Sequence, residues 1–147
     1  MEVREYRPGD RAEWLRMRRA LWPEVGPDEQ ADADEWLARS GAVTLVAERP
    51  GGAGLAGFAE FAVRPAAEGC APGPVAYLEG WYVDPDARRA GVGAALVRAG
   101  EAWARARGLR ELASDALLDN DASHRAHRAI GFEEVERVVL YRKVLTS

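Results

Sequence analysis

The sequence predicts a single α/β domain over residues 1–147, and three observations carry that prediction. Residues 76–83, Ala-Tyr-Leu-Glu-Gly-Trp-Tyr-Val, are rich in aromatic and β-branched types and bounded by Pro74 and Pro85, as a strand is. From about Gly91 the apolar period becomes helical, with Ala95, Leu96, Ala99, Ala102 and Trp103 recurring as far as Arg107-Gly108. Across the whole chain strands and helices alternate in the order β-α-α-β-β-β-α-β-α-β, with no internal repeat, low-complexity tract or linker.

Each element has its own reason. Val3-Arg4-Glu5-Tyr6 alternates and reads as a first strand, closed by Pro8-Gly9-Asp10. Asp10 is placed to N-cap a helix over 11 to about 21 that carries Trp14, Leu15, Met17, Arg18 and Leu21. Trp22-Pro23 ends it, because the residue before a proline avoids the helical region. A second helix over roughly 28–39 opens at Pro27-Asp28, turns Trp36 and Leu37 inward and stops at Ser40-Gly41. Val43 to Glu48 is a strand, Pro50-Gly51-Gly52-Ala53-Gly54 a hairpin turn, and Leu55 to Val63 the returning strand. Residues 64–75 hold three prolines and two glycines without periodicity, a long loop of the kind that is often functional. After the central strand and helix, Leu109 to Leu117 reads as a strand and 121–130 as a short helix capped by Asp119-Asn120-Asp121 and ended by Gly131. Phe132 to Leu145 has the character of a last strand.

Composition narrows the function classes. Charged residues make up 30% and hydrophobic ones 48%, as in a soluble globular protein. No apolar run approaches the ~18 residues that span a bilayer, and Met1-Glu2-Val3-Arg4-Glu5 does not read as a secretory signal, so a cytoplasmic location is expected. One cysteine and two histidines speak against a disulfide framework and a structural metal site. A net charge of −4 speaks against a nucleic-acid partner and is compatible with a cationic substrate.

The chemistry concentrates between the central strand and its helix. Arg88-Arg89-Ala90-Gly91-Val92-Gly93 is a short turn spaced Arg-x-x-Gly-x-Gly. A strand, a glycine turn and a helix N-terminus present bare N–H groups and a favourable dipole to an anion, and the two arginines add charge. Gly93 is followed by Ala94-Ala95 rather than Lys-Ser/Thr, which excludes a Walker loop, and Leu96 stands where a dinucleotide fingerprint needs its third glycine. The pattern, after a strand ending at Asp84-Pro85, resembles that of the GNAT N-acetyltransferase superfamily. The resemblance implies a mixed, mostly antiparallel sheet of about six to seven strands flanked by about four helices. It also implies acetyl-CoA as co-substrate, its pyrophosphate held by Arg88, Arg89, Ala90, Gly91, Val92, Gly93 and Ala94. Tyr82 and Val83 would offer backbone groups to the pantetheine arm, and an N–H near Trp81 or Tyr82 would steady the thioester oxygen.

Two acids stand out on physical grounds. Glu79 lies mid-strand among apolar neighbours, and Asp115 lies likewise within Leu112-Ala113-Ser114-Asp115-Ala116-Leu117. A carboxylate is costly there without a task or a partner. Each is either an acid facing a cleft beside the acetyl group or a strand acid paired with an arginine. An amine needs a free lone pair to attack a thioester, and a carboxylate takes its proton directly or through water.

Leu21-Trp22-Pro23, Leu-Glu-Gly-x-Tyr-Val-x-Pro (78–85), Ala-Ser-Asp-Ala (113–116), Asp-Asn-x-x-Ser-His (119–124), Ala-Ile-Gly-Phe (129–132) and Glu-Arg-Val-Val-x-Tyr-x-Lys (136–143) are similar to the aminoglycoside 6′-N-acetyltransferases. That resemblance implies transfer to the 6′-amine of an aminoglycoside by direct attack in a ternary complex, without a metal. Glu79 and Asp115 would be catalytic and, with Trp22 and Glu136, substrate-binding. Asn120 would contact the cofactor arm, although as a helix cap it has an equal role. Many superfamily members carry a tyrosine, proposed as the acid for the departing thiolate, where this chain has His127. The branch often has an Asp-Tyr pair where this chain has Arg64-Pro65-Ala66-Ala67-Glu68. Cys70 has no base placed beside it, so a covalent route is disfavoured. The stretch 133–145 is apolar enough to pair with a second subunit, and a homodimer is expected. The rival readings are the same chemistry on a polyamine, amino acid or protein amine, and a non-catalytic acyl-CoA-binding module indifferent to Glu79.

Overall fold

A computed structural model describes residues 2–146, in two compact units, 2–115 and 116–146, which are taken in turn. The first unit is built on a five-stranded sheet in the order β1-β2-β3-β4-β5. Its elements are β1 (Val3–Glu5), α1 (Arg11–Leu21), α2 (Glu29–Ala38), β2 (Ala42–Glu48), β3 (Leu55–Arg64), β4 (Val75–Val83), α3 (Val92–Ala106) and β5 (Leu112–Ser114). Neighbouring strands are antiparallel except β4 and β5, which run parallel.

Helices cover both faces. Trp14, Leu15 and Met17 of α1 and Ala33 and Trp36 of α2 pack with Val46, Leu55, Phe58 and Ala62 of the sheet. Buried Trp14, with an apolar surface of ~200 Å², contributes at most about 5 kcal/mol by area. On the other face α3 presses its Gly100 against Phe61, where an added Cβ would lie 2.1 Å from the ring. The even residues of β3 (Phe58, Glu60, Ala62) therefore meet α1 and α2, while Phe61 meets α3. The helix α3 ends in a Schellman motif: Gly108 at φ +76° donates to Arg105 O and Leu109 donates to Ala104 O.

The second unit holds α4 (Asp121–Ala129). Asn120 caps it, its side chain accepting the Ser123 N–H at 3.1 Å, and Gly131 at φ +98° closes it with the same pair of carbonyl bonds. No helix among the described residues is long and apolar enough to cross a membrane.

Five expectations need correction. The sheet has five strands among the described residues, not six to seven. The expected strand over 132–145 has no regular structure; Val135, Val138, Val139, Leu140, Tyr141, Val144 and Leu145 are exposed, and an apolar stretch makes no strand without a neighbour to bond. The strand expected over 109–117 shrinks to Leu112–Ser114, because Leu109 is held by the end of α3 and pairing with β4 runs only from Ala76 to Leu78. Leu37 is exposed, and only Trp36 of that pair turns inward. Asp10 occupies the cap position of α1 but makes no side-chain cap; its carboxylate is taken by Arg4 at 2.8 and 2.9 Å and by the Arg7 N–H.

Candidate active site

The turn between β4 and α3 is braced from below. Asp84 is buried, and its carboxylate receives both Nη atoms of Arg16 at 2.9 Å and Arg49 Nη2 at 2.8 Å. Arg49 also forks onto Asp86. Burial alone would push the Asp84 carboxyl up, but the two guanidiniums outweigh it and hold the group below the usual carboxylate range. Above this brace a short turn, Pro85–Ala87, leads into Arg88, whose Nε donates to Val83 O at 2.9 Å. Arg89 at φ 65° and Gly91 at φ 81° both stand in the left-handed region. The chain thus turns back into α3 with no side-chain cap on its first N–H groups. Those of Val92, Gly93 and Ala94 lie beyond the reach of intrahelical carbonyls. Trp81 supports that first turn, donating from Nε1 to Gly93 O at 3.2 Å, and a Cβ on Gly93 would come within 3.2 Å of its ring. An uncapped N-terminus, flanked by exposed Arg88 and Arg89, fits a pyrophosphate in charge and in donors.

Farther up β4 the sheet opens. Pairing with β5 ends at Leu78 opposite Ser114, so Glu79 to Val83 has no strand partner on that side among the described residues. Alternate backbone groups of Trp81, Tyr82 and Val83 face that open edge. At the same place the β3–β4 register slips: Glu60 stands opposite Gly80 but Phe61 opposite Leu78, leaving Glu79 as the extra residue of a bulge. Tyr77 and Glu79 share a face by simple alternation, and the bulge brings Gly80 to that face as well. Gly80 meets the ring of Trp22 there; a Cβ would lie 2.6 Å from Trp22 Cη2.

The acids sit in a continuous polar chain. Glu79 receives Arg64 Nη2 at 2.6 Å and Nε at 2.9 Å. The Arg64 guanidinium lies 3.4 Å from the centroid of the Tyr77 ring, and Tyr77 OH donates to Asp115 at 2.6 Å. Burial first, and the hydrogen bond to Asp115 second, push the Tyr77 hydroxyl well above its ordinary value, so it stays protonated as a donor. Beneath Trp22 lies a second pair. Buried Glu60 accepts Arg18 Nε at 2.8 Å, Arg18 Nη2 at 3.0 Å and Trp14 Nε1 at 2.9 Å. Arg18 is stacked between Trp14 and Trp22, 4.9 and 5.0 Å from their rings. Burial pushes the Glu60 carboxyl up while Arg18 and Trp14 pull it back.

The first unit thus brings together Trp22, Glu79 and Asp115, with Trp81, Tyr82, Val83 and the 88–94 turn along the same strand and its exit. The remaining predicted residues belong to the second unit. Asn120 is exposed and caps α4. His127 has Nδ1 at 2.7 Å from Ser123 O and its ring edge-on to Phe132. Glu136 is exposed, in the segment without regular structure. Glu79 thus has the arginine partner that one of its two sequence readings allowed, but the sequence singled out Arg64 only as a departure from a pattern and not as that partner. Tyr77 and the Glu60–Arg18 pair were missed. Glu60, a charged residue inside Leu55–Val63, carried the same mid-strand signal that singled out Glu79. Among the described residues no three His, Cys, Asp or Glu side chains group as a metal site requires.

Comparison with known proteins agrees with this geometry. Residues 11–132 match the family model described as Acetyltransferase (GNAT) family. An aminoglycoside N(6′)-acetyltransferase type 1 of Klebsiella aerogenes is 52% identical over 97% of this chain and 96% of its own. A crystal structure of an aminoglycoside antibiotic 6′-N-acetyltransferase from Acinetobacter haemolyticus superimposes with a TM-score of 0.92 at 34% identity, covering 99% of this chain and 100% of that one. The structure of AAC(6′)-Iy in complex with the bisubstrate analogue CoA-S-monomethyl-acetylneamine matches with a TM-score of 0.89 at 36% identity, over 98% of both chains. By the family model that spans residues 11–132 and by these relatives, this chain belongs to the acetyltransferase (GNAT) family.

Proposed function

We propose that this chain transfers an acetyl group from acetyl-CoA to the 6′-amine of an aminoglycoside, by direct attack in a ternary complex. The observation that carries the reading is the placement of Glu79 on a bulge, at the point where β4 loses its partner β5, in line with the anion turn at the head of α3. The names of the relatives, and a bisubstrate analogue bound by one of them, support the same acceptor and a direct transfer.

Acetyl-CoA supplies the activated acetyl group as a thioester. The turn 88–94 holds the pyrophosphate by the first N–H groups of α3 and the charge of Arg88 and Arg89. The open edge of Trp81, Tyr82 and Val83 binds the arm and orients the carbonyl. Glu79 attracts the ammonium and takes its proton, directly or through water, so that a lone pair is available. Asp115, oriented by Tyr77, adds a second negative charge for a polycation, and Trp22 offers an aromatic wall against Gly80. Glu136 adds charge at the substrate and Asn120 a contact to the arm. His127, with Nδ1 2.7 Å from the Ser123 carbonyl, is the residue that would give a proton to the thiolate of CoA as it leaves.

The 132–146 stretch leaves seven large apolar side chains exposed, and we assign its cover to a second copy of the chain. Light scattering should give twice 16.0 kDa; a monomer at micromolar concentration would remove this part of the reading. The enzyme acts in the cytoplasm, without a nucleic-acid or membrane partner, in keeping with its acidic balance.

The test is acetyl-CoA consumption with kanamycin against a congener bearing a hydroxyl at the 6′ position. Turnover that vanishes with the amine supports acceptor and position together. Faster turnover of a polyamine than of every aminoglycoside would overturn the acceptor and leave the chemistry.

A further inference from the structure

The carboxylate assigned to the substrate's amine already holds a cation. Arg64, the last residue of β3, places Nε and Nη2 on the two oxygens of Glu79, and its guanidinium covers the ring of Tyr77. A protonated amine that binds at Glu79 needs the same two oxygens, and it carries the same charge. Both cannot be fully bound at once.

Arg64 is built to leave. Its side chain is 38% exposed, against 16% for Glu79, and Glu79 is its one ion pair among the described residues. It stands at a strand end, just before the loop that starts at Pro65. Arg18 on Glu60 is the opposite case, 13% exposed and stacked between two tryptophans.

We propose that Arg64 is a built-in counter-ion that occupies Glu79 in the free protein and is displaced by the ammonium of the incoming substrate. The proposal rests on Glu79 being the amine-binding acid of the functional reading above. Its consequence is selectivity by charge. A singly charged amine gains at Glu79 only what Arg64 gives up, whereas a polycation also gains at Asp115 and at other acids and so drives the exchange.

The experiment is kanamycin binding by calorimetry with CoA present, on wild type, Arg64→Gln, Arg64→Lys, Glu79→Gln and the Arg64→Gln/Glu79→Gln double variant. Arg64→Gln should bind about fivefold tighter than wild type, the worth of a part-exposed ion pair no longer broken on binding. Arg64→Lys, which keeps the charge and loses the fork, should gain less. In the Glu79→Gln background the gain should disappear, because there is no carboxylate left to release. Unchanged or weaker binding by Arg64→Gln, with wild type binding normally, overturns the proposal and leaves the function standing. A gain that persists undiminished without Glu79 also overturns it, since plain repulsion between Arg64 and the drug does not need that carboxylate. Failure of every variant, wild type included, to bind kanamycin overturns both readings.

Discussion

Two arginine–glutamate pairs flank the same bulge and have opposite fates. Glu60 and Arg18 are sealed in, with Trp14 adding a third donor to the carboxylate and Trp22 closing the stack. Glu79 and Arg64 have the same bidentate geometry but are partly exposed, with one aromatic ring against the guanidinium and Glu79 at the point where β4 loses β5. Geometry alone does not separate structure from chemistry here; burial does. A sealed pair that loses one member leaves a charge in the core, while an accessible pair exchanges partners at little cost.

The largest effect should come from breaking the sealed pair. Glu60→Ala strands Arg18 and the Trp14 N–H, and should cost about 3 kcal/mol or more in urea unfolding. A loss under about 1 kcal/mol would mean that the pair is as replaceable as its partly exposed counterpart. Glu79→Gln should behave in reverse: kcat/KM with kanamycin falls about 100-fold, near 2.7 kcal/mol of barrier, while unfolding moves by less than about 1 kcal/mol. Equal losses in both measurements would make Glu79 a structural acid.

The joint between the two pairs is testable at Gly80. Gly80→Ala places a Cβ 2.6 Å from Trp22, so the ring and the Arg18 stack beneath it must shift. About 1–2 kcal/mol of stability should be lost, with KM raised more than kcat is lowered. An unchanged KM would remove Trp22 from the substrate site.

The smallest effect concerns a third carboxylate, Asp84, buried like Glu60 but joined to two arginines. Its folded pKa lies below the unfolded value near 3.8, so the unfolded chain binds more protons in that range. The stabilisation is therefore complete above pH ~4 and is lost as pH falls through and below that value. Asp84→Asn should cost about 1 kcal/mol at pH 7, and the gap to wild type should close as pH approaches 3. A gap independent of pH would assign Asp84 a packing role only.

How much of this was legible depends on range. Gly91 and Gly108 announced the ends of α3 because φ and helical period are set by near neighbours. Glu79 stood out because an acid among apolar strand residues is conspicuous in a single window. The same rule applied to Glu60 would have found it, and it was passed over inside an otherwise apolar strand. The segment 132–145 failed for a different reason: it is rich in β-branched and aromatic residues, but a strand exists only where a neighbour completes its hydrogen bonds.

The sequence by itself determined the order of the elements as far as α4, the glycine turn at 88–94 and the mid-strand acid Glu79, since each is a property of residues within a turn or two of one another. Tertiary structure decided the partner of every charge. Arg64 is 15 residues from Glu79 and Arg18 is 42 from Glu60. These pairings follow from strand register and from one extra residue at position 79, which brings Glu79 and Gly80 to one face, beside Arg64 and Trp22. A register is fixed by the summed packing of both faces of the sheet, and no local window contains that sum.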